Sequence, residues 1–430
     1  MNITDSDVLQ FLKEKLSESS INLSIEDWVE LNSKFTKEEI RKGLAEYITI
    51  NKINFPFRDI SYLTVNEKFE ALRRGNALDF VSEPDPKSVV EKYDDYKYPY
   101  SKHGKFLIEF GHYYNDISNY FQQNNRMSCG SYGFESPLDI WNSHDLLLKM
   151  NWIFWRMGTS TINETNIRGS FRLGAYVATQ FKPHVATVIY NITKSKSVLD
   201  MSMGWGDRLA GFYASKATSY VGCDPNPQTF EVYKKQCMAY EEMLGCLRPE
   251  ISENTNDGWW KCVGKKSVLM YNKPAEDIDW SEQKETMDCV FTSPPYFSTE
   301  LYNKGGEKEE DQSWSRYSEY NNWKEKFYLP MLKISYESLK PTGVMMINIM
   351  DPTVKGKRHR SCDEMVDYVT DELGGNFIGQ VGMRIKQRPK NIDKKLLSEH
   401  LSTNFIENVW CFSKQSYVFE GNPSLESIME

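Results

Sequence analysis

Apolar and polar positions change rhythm partway along the chain. In the first stretch the apolar residues recur at helical spacing: Ile40, Leu44, Tyr47 and Ile48 share one face, and Thr36 with Glu39 forms a capping box ahead of them. This predicts a mainly helical region over 1–80. Between 81 and 105 the pattern is lost, because Pro84, Pro86 and Pro99 interrupt a polar run that reads as a linker or a long surface excursion. An aromatic-rich block follows from Phe106 to Met157, containing "SCGSYGF" and "NWIFWRM"; it reads as packing surface, with stacking on a substrate as the alternative. After Arg168 short apolar runs alternate with helical segments. "SVLDM", "SYVGCD", "DCVFT" and "GVMMINIMD" predict buried strands, so the fold class is α/β, with a mostly parallel Rossmann-like sheet and an additional helical N-terminal domain. The expected division is 1–80 helical, 81–168 linker and accessory or recognition region, 169–415 α/β domain and 416–430 tail.

Composition narrows the class. With 430 residues, 40% hydrophobic and 26% charged, the chain can bury one large core and a smaller one. No apolar run approaches the roughly 18 residues that span a bilayer, and the opening "MNITDSDVLQ" is acidic and polar, so the expectation is a cytoplasmic protein without a membrane partner. The eight cysteines include no C-x-x-C pair and no histidine at metal-ligand spacing, which predicts reduced thiols and no metal. A net charge of −8 means that any contact with nucleic acid must use local basic surface. Two stretches qualify, Lys355 to Arg360 and Arg384 to Lys395, and their candidates for phosphate contact are Lys357, Arg358, Arg384, Lys386 and Arg388.

Ligands of open α/β sheets bind beyond the carboxyl ends of the strands. The first run ends in Asp200, then Gly204 and Gly206 open the loop before a predicted helix, and the second run ends in Asp224 about 20 residues later, the spacing of a ribose-binding acid. A dinucleotide fingerprint would need a third glycine where Leu209 stands, and Asp207 would oppose a pyrophosphate. A sulfonium cofactor has no phosphate and would accept Asp200 near its amino-acid part. These residues therefore favour S-adenosylmethionine, with Glu276 or Asp277 placed to bond the adenine amino group. The fourth feature is "TSPPYF". The nitrogen of a base amine is a poor nucleophile because its lone pair is conjugated into the ring. Hydrogen bonds to the Ser293 side chain and the Pro294 carbonyl could turn that lone pair towards the methyl group, with Pro295 keeping the loop rigid. Tyr296 can stack on the base beside Phe297, so the ring is expected to matter and the hydroxyl to be incidental.

The order "VLDxSxGWGDRLxG", "YVGCDPN", "AED", "TSPPYF" resembles the class I S-adenosylmethionine-dependent amino-methyltransferases of DNA, which modify cytosine N4 or adenine N6. The resemblance covers roughly Phe171 to Lys414 and extends to proteins of phages and mobile elements. It implies cofactor contacts at Gly204, Gly206 and Asp224 and a catalytic loop at Ser293, Pro294, Pro295 and Tyr296. Serine at the first loop position resembles the cytosine-N4 members. "FKPHVATVIYN" resembles the segment that closes over the methionine part, which implies a role for Phe181, and "ENVWCFSK" resembles the last strand. No Pro-Cys pair is present for carbon-5 methylation and no G-x-S-x-G elbow for hydrolysis. The alternatives are methyl transfer to an RNA base amine or a protein glutamine, or a catalytically silent nucleic-acid-binding subunit. Target sequence and oligomeric state are not encoded in these motifs.

Overall fold

A computed structural model describes residues 5–17, 20–83, 89–131, 133–385 and 404–415. The chain forms two compact units, one from Met1–Asp59 with Gln123–Thr179, the other from Ile60–Gln122 with Gln180–Glu430. The first is helical. Its leading helices, Asp5–Lys15, Ile25–Lys34 and Lys37–Ile50, turn Val8, Leu12, Leu31 and Leu44 into a core shared with Trp141 and Phe171. The capping box forms as the spacing predicts: the Thr36 hydroxyl accepts the Glu39 N–H at 3.3 Å and the Glu39 carboxylate accepts the Thr36 N–H at 2.7 Å.

The second unit is a mixed α/β structure built on a large, mostly parallel sheet. Its central strands are β1 (Ser197–Asp200), β2 (Ser219–Cys223), β3 (Ser267–Tyr271), β4 (Met287–Thr292), β5 (Leu339–Asn348), β6 (Asn376–Arg384) and β7 (Asn404–Ser413). They lie in the order β6-β7-β5-β4-β1-β2-β3, with β7 antiparallel to both neighbours and the strands from β5 to β3 parallel. Alternate residues face opposite layers, and both layers are apolar. Val198, Cys289, Phe291, Val344 and Met346 pack under α1 (Pro183–Ile192), α2 (Asp207–Ala214) and α3 (Pro227–Met243). Leu199, Val290, Met345 and Ile347 pack under α4 (Leu329–Ser338) and α5 (Ser361–Asp367). Burial on both faces is why these strands read as continuous apolar runs. Strand order reverses between β1 and β4, which opens a crevice at their carboxyl ends.

The division differs from the one drawn on composition. Helix Tyr62–Arg74 contributes Phe69 and Leu72 to the α/β core, and Gly104–Ile108 pairs in parallel with β6. Residues 89–103 of the polar stretch are anchored: Tyr96 and Tyr100 are buried, and the Glu91 carboxylate accepts the Tyr100 N–H at 2.9 Å. Among the described residues no helix is long and apolar enough to cross a membrane.

Candidate active site

The loop after β1 is held from below. Asp200 is fully buried, with its carboxylate accepting Arg208 Nε at 2.8 Å and the Tyr220 hydroxyl at 2.7 Å. Arg208, eight residues on and also buried, donates through its other arm to the Ser202 carbonyl. Between these anchors Gly204 and Gly206 take φ of +58° and +69°, left-handed values that cost other residues about 1–2 kcal/mol. A Cβ on Gly206 would lie 2.3 Å from Gln236 Oε1, whereas one on Gly204 would meet nothing closer than 4.0 Å. Gly206 is therefore packed, and Gly204 faces open space.

That space is a cleft at the crevice between β1 and β4. Gly204 and Asp224 line it, joined by the Gly204 N–H donating to Asp224 Oδ2 at 3.0 Å; Oδ1 accepts the Asn226 N–H at 3.0 Å. The Tyr233 hydroxyl bears on the same carboxylate. Burial pushes the Asp224 pKa up to about 6 against the pull of these hydrogen bonds. After β3, Glu276 lines the same cleft. Its Oε1 accepts the Tyr317 hydroxyl at 2.9 Å and Arg316 Nη1 at 3.3 Å, while Oε2 is buried without a partner. Arg316 also holds Asp277 at 2.8 Å and Asp311 at 3.1 Å, which ties the 311–316 segment to this wall. Gln312 Nε2 and Ser313 Oγ, both on the cleft, are likewise buried and unpartnered.

Ser293 and Pro295 complete the lining from the end of β4. The Ser202 hydroxyl donates to the Ser293 carbonyl at 3.0 Å and lies 3.0 Å from the Thr292 hydroxyl, coupling the β1 loop to the β4 loop. Pro294 is buried behind them. Tyr296 is fixed by its hydroxyl, which donates to the Glu407 carboxylate on β7 and lies 3.3 Å from the Asn348 carbonyl on β5. Burial, first, and the Glu407 charge, second, raise the phenol pKa well above its ordinary value. The hydroxyl is thus a structural anchor, contrary to the expectation that only the ring matters. Phe297 follows with φ +54°, a strained value for an aromatic residue.

Several expected site residues lie elsewhere. Asp200 serves the Arg208 ion pair and does not line the cleft, because a buried carboxylate needs its counter-charge there. Phe181 packs edge-on to Phe291 with Arg208 over its ring, also away from the lining. Asp277 turns to Arg316 and leaves the cleft to Glu276. Phe297 is 5% exposed and packs against Tyr320, Trp323 and His359, so it supports the loop and offers no surface to a base. Arg358 is committed to Asp351 at 2.8 Å and to Asp95, and Arg384 bonds Glu109 at 2.8 Å; these pairs correct the reading of both as free phosphate ligands. Lys357 is exposed. Lys386 and Arg388 lie outside the described residues. Sequence reasoning missed Ser202, Arg208, Gln312, Ser313 and Glu407. An acid inside a run of buried strand residues was the one available signal, at Glu407.

Residues 287–423 match the N6_N4_Mtase family, described as DNA methylase. Over that stretch the chain resembles the DNA methylases. The match begins with β4 and takes in the Ser293–Tyr296 loop and Glu407. No curated protein matches. Solved structures similar to this chain include Trm1 from Pyrococcus horikoshii with S-adenosyl-L-methionine, at 17% identity over 40% of this chain and 38% of that one, TM-score 0.28. The putative RNA methyltransferase PH1948 from the same organism has 12% identity over 54% and 82%, TM-score 0.28. M. jannaschii TYW2 in complex with AdoMet has 12% identity over 53% and 74%, TM-score 0.28. The chain spans about two-fifths of the length of the Trm1 structure.

The two glycines yield a stability prediction. Gly204→Ala should cost about 1–2 kcal/mol, the left-handed penalty alone. Gly206→Ala should cost more, because the same strain is joined by the clash with Gln236. Urea unfolding of both variants checks the order.

Proposed function

We propose that this chain is an S-adenosylmethionine-dependent methyltransferase acting on an exocyclic base amine of DNA, with cytosine N4 favoured over adenine N6. The observation that carries the reading is the convergence of Gly204, Asp224, Glu276, Ser293 and Pro295 on one cleft at the point where strand order reverses. The DNA methylase match supports it.

The residues fit the cofactor. Asp224 lines the cleft where a ribose diol would be bonded, and Gly204 has no side chain in the way. The partnerless Glu276 Oε2 suits an adenine amino group, and the partnerless Gln312 and Ser313 atoms give further polar contacts on the same wall. Asp224, Glu276 and Asp311 make the lining acidic, which suits a cationic sulfonium. Asp207 at the start of α2 accepts Gln180 Nε2 at 3.0 Å and the Ser118 hydroxyl, filling with negative charge the place a pyrophosphate would need. When bound, the cofactor supplies an electrophilic methyl group. Ser293 and the Pro294 carbonyl orient the amine lone pair towards it, and the Tyr296 ring stacks on the base. Lys357, with Lys386 and Arg388, is the proposed phosphate-contacting set.

Radiolabelled methyl transfer offered in parallel to DNA, RNA and protein tests this reading. Label in DNA as a methylated base amine is expected. Label confined to RNA or to glutamine, or none at all, rejects it. Ser293→Ala should slow single-turnover transfer by roughly 10- to 1,000-fold while cofactor affinity stays put.

Asp224 gives a pH prediction. A carboxylate accepts from the ribose diol better than a carboxyl, and burial has raised this acid to about 6. Cofactor affinity should therefore be full above that pH and weaken by up to about tenfold per unit below it. The sign for folding is opposite: the raised acid favours the folded state as pH falls from about 6 towards its unfolded value near 4. Calorimetric titration across this range checks the binding step, and Asp224→Asn should bind weakly with no step.

A further inference from the structure

Methylation of a neutral amine leaves a proton to be disposed of. The amine lone pair forms the nitrogen–carbon bond while the carbon–sulfur pair returns to sulfur, and the nitrogen is left cationic. Most carboxylates around the cleft are committed elsewhere. Asp224 and Glu276 belong to the adenosine end of the proposed cofactor site, and Asp351 is held by Arg358 at 2.8 Å and the Cys362 N–H at 2.9 Å. Glu407 differs. It stands on β7 behind the Ser293–Tyr296 loop, and its Oε1 accepts the Tyr296 hydroxyl and, at 3.3 Å, Asn348 Nδ2. The Ser293 side chain bears on the same phenol, lowering its pKa against burial. The Tyr296 hydroxyl therefore stands between the loop that carries Ser293 and a buried carboxylate.

We propose that Glu407 is the terminal acceptor of the proton the amine loses, reached through Ser293 and the Tyr296 hydroxyl. The inference rests on the amino-methyltransferase reading. The nitrogen gives one proton to Ser293 Oγ, Ser293 gives its own to the Tyr296 oxygen, and Tyr296 gives its own to Glu407 Oε1. The products are the neutral methylated amine and a neutral Glu407, and both hydroxyls are restored. Glu407 thus acts through Tyr296 and is a positioning residue for the loop as well as a proton sink. The groups bearing on it are Tyr296 from the β4 loop, Asn348 from β5, and the cations Lys182, ahead of α1, and Lys92, from the segment after 89–90. Burial raises its pKa while those hydrogen bonds and cations oppose the shift, which brings its proton affinity nearer the working range of a base.

The test uses the full-length parent, Glu407→Gln and Tyr296→Phe. Infrared difference spectra of the cofactor-free protein, parent minus Glu407→Gln, report the carboxyl directly. The proposal expects an ionised carboxylate near neutral pH that protonates on the acid side, and a carboxyl already protonated at neutral pH overturns it. With cofactor and DNA, the parent's single-turnover rate should fall as pH drops and Glu407 is filled. Glu407→Gln should lose about 100-fold in rate or more, abolish that acid limb, and leave KM and cofactor affinity unchanged. Tyr296→Phe, which cuts the path but keeps the ring, should lose the limb as well. Retention of rate and acid limb in Glu407→Gln overturns the inference while leaving the methyltransferase reading intact. A parent that methylates nothing removes both. Should Glu407→Gln fail to fold, by thermal melting, Tyr296→Phe and the pH course of the parent's carboxyl band decide.

Discussion

The site depends on one buried ion pair. Asp200 at the end of β1 and Arg208 in the first turn of α2 meet at 2.8 Å with 0% and 4% of their side chains exposed. Removing one partner of such a pair leaves an uncompensated charge and costs about 3–5 kcal/mol. Its value is geometric. Arg208 bridges the Asp200 carboxylate and the Ser202 carbonyl, so the loop between strand and helix has one shape. Ser202, so placed, reaches Thr292 and the Ser293 carbonyl. The ion pair thereby sets the register between the glycine loop and the Ser293–Tyr296 loop.

From that register the rest of the cleft follows. Gly204 can offer its N–H to Asp224 only because the loop turns through left-handed glycines. On the far side the strained Phe297 is over-determined by a nest of rings, with Tyr320 and His359 stacked at 4.0 Å behind it. Tyr296 is pinned by Glu407 and Asn348. The loop is thus held at Ser293, Tyr296 and Phe297, the rigidity that the proposed positioning of a weak nucleophile would require.

What could be read in the sequence, and what could not, divides along sequence distance. Strands with apolar residues on both faces are legible because burial on each side leaves a continuous run, as in β1, β2 and β4. Gly204 and Asp224 are legible because a short loop and a fixed spacing bring them together. Asp200 was misplaced because an acid at a strand end looks the same whether it faces a ligand or an arginine. The segment 81–105 looked like a linker because its anchoring tyrosines are too few to alter a polar composition. Arg358 reads as free because one partner, Asp95, lies 263 positions away and the other, Asp351, meets it only across the 353–358 hairpin; Glu407's partner Tyr296 lies 111 positions away. Pairings of that range are set by the sheet, and the one local trace is the acid that Glu407 places inside an apolar strand.

The dependence of the site on the buried pair can be isolated from the stability it lends. Replacing both partners together, as Asp200→Leu with Arg208→Met, removes the charges without orphaning either, and such exchanges are often neutral or stabilising. Calorimetric titration of this folded double variant with S-adenosylmethionine should show affinity weakened by roughly tenfold or more, about 1.4 kcal/mol or above, because the loop has lost its fixed shape. A folded double variant that binds the cofactor as tightly as the parent would contradict the ordering role of Asp200 and Arg208.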